Sequence, residues 1–423
     1  MYKTELIFKT PDDAHYFFGY YDKLQLNKDN NKLLALKVDF MDHVPTKDDI
    51  AIIGYFDLMK DNVFVELSKT SAFNWQQGCM LQWIGYDYNS KIIYNDLVDN
   101  KFISIMIDIN TNEKTIYDNA IYSMHPNTKY AVTIDFERHH WCRRGYSYDG
   151  SFSNEKNQPI VDGDAIFLID LENNSSKKII LLDDMIKNKP LSNMKNATHY
   201  LEHLMFNPSG TRFCFLHRWK IEDGGIYARL YSANLDGSDI FLLNDSGRMS
   251  HFGWQDDTHL LAYGGLENKI NSLRKHKKIL KYFIKPLLPL YHMLVNDNSK
   301  LSKAVTGDSY VIFEDQTKTV VRVAASISNE DGHPSFSKNG DKSLFVTDTY
   351  PDPDEGSIGD LILFDIDSNQ EYIVNKLNSI SEYDNSPIRC DLHPRWSYTG
   401  EYISVDTMNE GRRSCYLYKV TNE

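Results

Sequence analysis

No run of about 18 apolar residues occurs anywhere in the chain, so no segment reads as a membrane-spanning helix. Cysteine is scarce: five in 423 residues, an odd number, widely spaced at Cys79, Cys142, Cys214, Cys390 and Cys415. That excludes a disulfide scaffold and fits a reducing compartment. Positive charge is in deficit, with Lys+Arg 46 against Asp+Glu 59 and a net charge of −13, so no global field exists for gripping nucleic acid. A nucleotide-binding glycine loop is missing, and so is a Gly-x-Ser-x-Gly nucleophile elbow. The first ten residues, Met1 to Thr10, contain no apolar signal core, which leads to the expectation of a cytoplasmic protein.

What is present is mostly strand. Short β-rich runs recur, among them Lys32–Val38, Phe102–Ile109, Ala165–Leu171, Arg212–Leu216, Leu361–Phe364 and Cys415–Val420, separated by Asn, Asp, Gly and Ser clusters. An internal repeat selects among the all-β architectures. His203-Leu-Met-Phe-Asn-Pro-Ser-Gly210, His333-Pro-Ser-Phe-Ser-Lys-Asn-Gly340 and His393-Pro-Arg-Trp-Ser-Tyr-Thr-Gly400 each place an aromatic three residues after a histidine, then a turn ending in glycine, then a strand. His125 and His251 open shorter versions. A unit repeated every 40–60 residues or so predicts a β-propeller of about four strands per blade. Allowing for loops and one insertion, the fold expected is an all-β, seven-bladed β-propeller forming a single domain over 1–423.

The insertion is residues 267–303. From Lys269 it is basic and helix-periodic, with Ile270, Leu273, Ile279, Leu280, Phe283 and Ile284 near one face. It reads either as a solvated helix packed on the propeller or as an amphipathic segment, 268–295, making peripheral contact with a membrane or another anionic surface.

The repeated histidines carry the first chemical expectation. Equivalent positions in successive blades face one central region, so His125, His203, His251, His333 and His393 are expected to converge. Clustered neutral imidazoles with oxygen or thiolate neighbours suit a divalent metal, Zn²⁺ or Mn²⁺, and Asp331, Cys390 and Asp391 flank the last two histidines. A second group, Arg138 to Tyr148, mixes arginine forks with aromatic rings and suits an acidic saccharide; Arg144 and Tyr146 are its candidates. A third, His199-Tyr-Leu-Glu-His203 with His217 and Arg218, pairs a base with a carboxylate-binding arginine, as β-elimination from a uronate requires; Tyr200 or Tyr146 would protonate the leaving oxygen. Asn74 to Trp83 is polar and aromatic and reads as a girdle around the same cleft.

Together these motifs resemble a family. Phe18-Gly-Tyr-Tyr-Asp22, Asn74-Trp-Gln-Gln-Gly78, Leu216-His-Arg-Trp219, Asp331-Gly-His-Pro334, Thr347-Asp-Thr-Tyr-Pro-Asp352 and Arg389-Cys-Asp-Leu-His-Pro394 look like the propellers grouped with oligogalacturonate and ulvan lyases. The resemblance implies a seven-bladed propeller, cleavage of acidic uronate-containing polysaccharide by β-elimination, and a bound Mn²⁺ or Zn²⁺. It implies His217 as the base and His251 and His333 as metal ligands; His393, Cys390 and Asp331 complete the expected metal set. Where a close His-x-His pair stands in oligogalacturonate lyases, this chain reads Asp331-Gly-His333. The alternatives are a glycan-binding propeller without catalysis and another carbohydrate-active enzyme of envelope or capsular polysaccharide metabolism.

Overall fold

The computed structural model describes residues 2–150, 153–266, 308–327, 331–351 and 356–422. These form seven antiparallel sheets, six of four strands and one of three, arranged as the seven blades of a propeller. Blades 1 to 4 span His15–Thr70, Gln82–Tyr117, Ser123–Leu181 and Thr198–Gly247. Blade 5 runs from Met249 to Val323, and blade 6 from Leu344 to Asn378, with the Ser335–Val346 bridge at its inner edge. Blade 7 takes three strands from Arg395–Trp396, Tyr402–Thr407 and Ser414–Asn422, and its outermost strand, Tyr2–Lys9, comes from the N-terminal end of the chain. That strand pairs antiparallel from Tyr2 opposite Asn422 to Lys9 opposite Tyr416, so the first and last blades are closed by hydrogen bonds rather than by packing alone.

Blades stack through apolar side chains on alternate strand positions. One buried cluster joins blades 2, 3 and 4 through Ile93, Val132, Ile169, Phe215 and Tyr231. Another joins blades 4 and 5 through Leu216, Leu230, Phe252 and Val311. A third joins blades 6 and 7 through Val346, Leu363, Ile403 and Val405. Each such side chain, fully buried, contributes about 1.5–3 kcal/mol. The basic insertion, 267–303, with its anionic-surface reading, falls outside the described residues. Among the described residues no helix is long and apolar enough to cross a membrane.

The repeat has a plain geometric cause. His203, His251, His333 and His393 each stand four residues before the residue that closes the inner turn: Asn207, Gln255, Ser337 and Ser397. Asn207 N–H donates to the Arg212 carbonyl and Ser397 N–H to that of Tyr402 (2.9 and 2.8 Å). Gly210 and Gly400 close these turns at φ +76° and +78°, which a Cβ disfavours. His125 corresponds to the turn residue instead. Its N–H donates to the Tyr130 carbonyl (2.9 Å), its Nδ1 accepts from the Asn127 N–H (3.0 Å), and its ring packs on Phe206. The expected convergence of five histidines is therefore corrected to four, all from blades 4 to 7.

After the innermost strand of blade 1, His15–Phe17, the chain leaves the sheet at Phe18 and crosses the axis as Gly19-Tyr20-Tyr21. Buried Asp406 accepts from the Phe18 and Gly19 N–H groups (3.1 and 2.9 Å) and from Arg395 (2.9 Å), whose other amino group donates to the Gly19 carbonyl (2.8 Å). These bonds lay two tyrosine rings across the channel beside the histidines.

Candidate active site and metal centre

The four histidines form a chain of rings along one mouth of the channel. His203 and His251 lie 5.8 Å apart, His251 and His333 4.1 Å, and His333 and His393 4.2 Å, centroid to centroid. Tyr20 meets His203 and His393 edge-on, and Tyr21 packs on His333 at 5.3 Å. All four histidines are buried. His203 and His393 hold φ of +55° and +43°, a conformation that costs a non-glycine residue about 1–3 kcal/mol and concentrates at functional sites.

Among the described residues one group has metal-ligand spacing: His333, Asp391 and His393 offer ligand atoms all within 4.8 Å of one another. Asp348 organises it. Its carboxylate accepts from the His333 N–H (2.7 Å) and the His393 N–H (3.2 Å), and it holds His333 Nδ1 at 2.9 Å. Nδ1 so engaged leaves Nε2 as the ligand atom, the carboxylate–histidine arrangement that fixes tautomer and raises basicity at metal sites. Burial opposes protonation of His333, but Asp348 and Asp391 outweigh it and raise its pKa. Asp391 is gripped from its other side by Arg389 (2.8 and 3.0 Å), which also donates to the Tyr146 hydroxyl (2.7 Å). Two imidazoles and a carboxylate, all buried and fixed by further bonds, fit a divalent ion of the Mn²⁺ or Zn²⁺ kind. Gly332 keeps this arrangement possible, because a Cβ there would collide with the Asp348 carbonyl oxygen. Gly332→Ala is expected to destabilise the fold by about 1–3 kcal/mol by overpacking. It should also weaken metal binding, read by thermal unfolding and metal titration, although no ligand is touched.

Beside the histidines lies a buried charge cluster centred on Glu202, which is fully inaccessible. Arg143 donates to it (2.6 Å), Arg218 pairs with it, His139 Nε2 lies 3.0 Å away and His203 Nδ1 3.4 Å. Burial alone would raise the Glu202 carboxyl; Arg143 and Arg218 outweigh it and hold it well below the usual range. Burial also lowers His203, to about 4, and it lowers His251 well below the usual histidine value, with the His333 charge adding to it. His251 Nδ1 meets Asp331 at 3.2 Å. This mouth thus combines neutral imidazoles, three arginines and a metal-type donor set.

Solved structures with this architecture include an oligogalacturonate lyase in complex with manganese, at TM-score 0.64 and 15% identity, covering 98% of this chain and 92% of that one. The chain has the fold of oligogalacturonate lyases. A second such lyase, from Vibrio parahaemolyticus, matches at TM-score 0.61 and 13% identity over 99% and 96% of the two chains. An acylaminoacyl peptidase from Pyrococcus horikoshii matches at 0.50 and 12% identity over 97% of this chain and 52% of that one, so propeller likeness on its own does not decide chemistry. No family model and no curated protein matches the chain by sequence.

The expected site residues are distributed as follows. His203, His251, His333 and His393 come together as expected. His217 and Arg218 do not face one substrate: they are consecutive in the strand Arg212–Lys220, and their side chains leave opposite faces. Arg218 joins Glu202, whereas His217 is buried against His199 (3.0 Å between ring nitrogens) and Trp219. Arg144 is exposed over Trp141; its neighbour Arg143 reaches the cluster instead. Tyr146 stacks under Arg143 at 3.8 Å and accepts from Arg389, while Tyr200 is buried near Glu202. Asp331 pairs with His251 rather than joining the three-residue donor group. Cys390 also stays outside that group; burial pushes its thiol up to about 12, and it lies by Arg413 and Asp406.

Proposed function

We propose that the protein is a metal-dependent lyase that cleaves an acidic, uronate-containing oligo- or polysaccharide by β-elimination. The observation that supports this most is the junction of the His333–Asp391–His393 donor group with Arg218, Arg143 and neutral His251 at one mouth. His333, Asp391 and His393 would hold the ion; when bound, it supplies positive charge that acidifies the C5 proton of a uronate. Arg218 and Arg143 are poised to take the substrate carboxylate, since the forks that hold Glu202 suit a second carboxylate. His251 removes the C5 proton: it is neutral, and Asp331 engages Nδ1 and leaves Nε2 to accept. The electron pair of the C5–H bond forms the C4–C5 double bond, the C4–O bond breaks, and the Tyr146 hydroxyl, held by Arg389, donates to the leaving oxygen. His251 replaces His217 in this role because His217 faces Trp219 and not the arginines.

The test is ultraviolet absorbance of the unsaturated product, with the metal-loaded protein and a panel of polyuronates. Wild type is expected to raise the absorbance on at least one polymer. His251→Ala and Arg218→Ala are expected to lose about 10²–10⁴-fold. Activity that survives in His251→Ala but vanishes in folded, metal-loaded His217→Ala would return the base to His217. No absorbance on any polymer would overturn the lyase reading.

A further inference from the structure

At the opposite mouth of the channel, beyond Tyr21, lies a cavity of about 220 Å³. The inner strands run the same way round the ring, so residues after each histidine face this mouth: Trp254 after His251, Ser335 and Lys338 after His333, Trp396 and Tyr398 after His393. Tyr21 lines the cavity and packs on His333, and so forms the partition between the two ends.

The lining is cationic in a chain whose net charge is −13. Three lysines enter it from two elements: Lys23 from the axis-crossing loop, and Lys338 and Lys342 from the inner turn of blade 6. Lys23 is buried and paired with Asp22 (2.5 Å). Among the described residues Lys342 donates to the carbonyls of Ser337 and Lys338 (2.5 and 3.2 Å). Lys338 stands 5.4 Å from the Tyr88 ring, and among the described residues it has no carboxylate at ion-pair distance. Burial lowers Lys342 from the usual ammonium value, and the Lys338 charge adds to it. A bound anion relieves that repulsion. Part of the remaining wall is aromatic: Tyr88 and Tyr398 pack at 5.3 Å, and Trp396 is 5% exposed, its buried indole Nε1 without a partner among the described residues.

We infer that this cavity is an anion-binding site, separate from the metal centre, for a single sugar ring carrying a carboxylate or phosphate, with Lys338 and Lys342 on the oxyanion and Tyr88, Tyr398 and Trp396 along the ring. Aromatic walls suit the apolar face of a sugar. A volume of about 220 Å³ is below the roughly 300–1,000 Å³ of drug-sized ligand sites, so it takes a monosaccharide rather than a length of polymer.

Calorimetric titration with glucuronate, galacturonate, glucose 1-phosphate, inorganic phosphate and neutral glucose tests this at low salt. At least one acidic sugar is expected to bind, in Arg218→Ala as in wild type, more tightly than both glucose and inorganic phosphate; the uronate and phosphate arms tell which oxyanion is read. Lys338→Glu, at an accessible position that leaves the fold intact, is expected to weaken binding at least about tenfold, a change of about 1.4 kcal/mol. Lys342→Ala is expected to weaken it in the same direction. Arg218→Ala and His333→Ala, at the other mouth, are expected to leave it unchanged. Affinity unaltered in both lysine variants, affinity lost in Arg218→Ala, or no binding by any acidic sugar would each overturn the assignment.

Discussion

Asp348→Asn is expected to lower divalent-metal affinity by about 10–100-fold, the usual cost of losing a carboxylate behind a ligating histidine. Three bonds converge on this side chain, from two backbone N–H groups and one imidazole. The two N–H groups belong to the two histidines of the donor set, so the amide changes the His333 tautomer and the backbone placement of both histidines together. His333→Ala removes a ligand outright and is expected to abolish stoichiometric metal and, with it, product absorbance. Metal analysis of the purified variants, alongside circular dichroism, separates the two cases: Asp348→Asn retains some metal at high concentration, and His333→Ala retains none. Equal, undiminished metal content in both would remove this centre from the protein.

Glu202→Gln is expected to cost about 3–5 kcal/mol of stability, although Gln fills the same volume. The reason is the partner side. Arg143 and Arg218 share this one buried carboxylate, and removing one member of a buried ion pair leaves the other charge uncompensated. The pH dependence follows from the direction of the Glu202 shift. Its folded-state pKa lies well below the usual glutamate value, so its contribution is complete above the unfolded-state value and disappears as pH falls through the depressed one. Chemical denaturation from neutral to acid pH should show the wild type losing this stability in the acid range and the variant lacking it throughout. A variant as stable as wild type at neutral pH would mean that the arginines find other partners.

The four-histidine cluster was legible because a propeller repeats one element around an axis, so a sequence repeat becomes a spatial ring. His125 misled because its motif copies the residue types and not the spacing: it stands five residues before Tyr130, where the next strand starts, whereas His203 and His393 stand nine before Arg212 and Tyr402. Counting back from the following strand would have separated it. Glu202 lay inside a motif already singled out, but its partners Arg143 and His139 arrive from the helical excursion Phe136–Cys142 and its C-terminal edge. No periodicity in either segment predicts that meeting. Asp348 was hidden for a similar reason, since it lies fifteen residues from His333 and forty-five from His393. The placement of Arg218 without His217 required only the two-residue period of a strand, but it also required knowing which face looks toward the arginine cluster.

By itself the sequence determined the architecture: strand patterning, turn chemistry and the repeated histidine units are local properties, and local geometry summed over seven blades closes a ring. It also brought the repeated histidines toward one axis, because blade equivalence turns position in the repeat into position around the axis; that four of the five meet, without His125, was decided by the structure. Only the tertiary structure decided which carboxylates meet them. Asp348, Asp391 and Glu202 acquire their roles from contacts between loops and neighbouring blades, where side-chain direction and burial, rather than pattern, set each distance. The same holds for Lys23 at the far mouth, which joins Lys338 and Lys342 only once the axis-crossing loop is tied to Asp406.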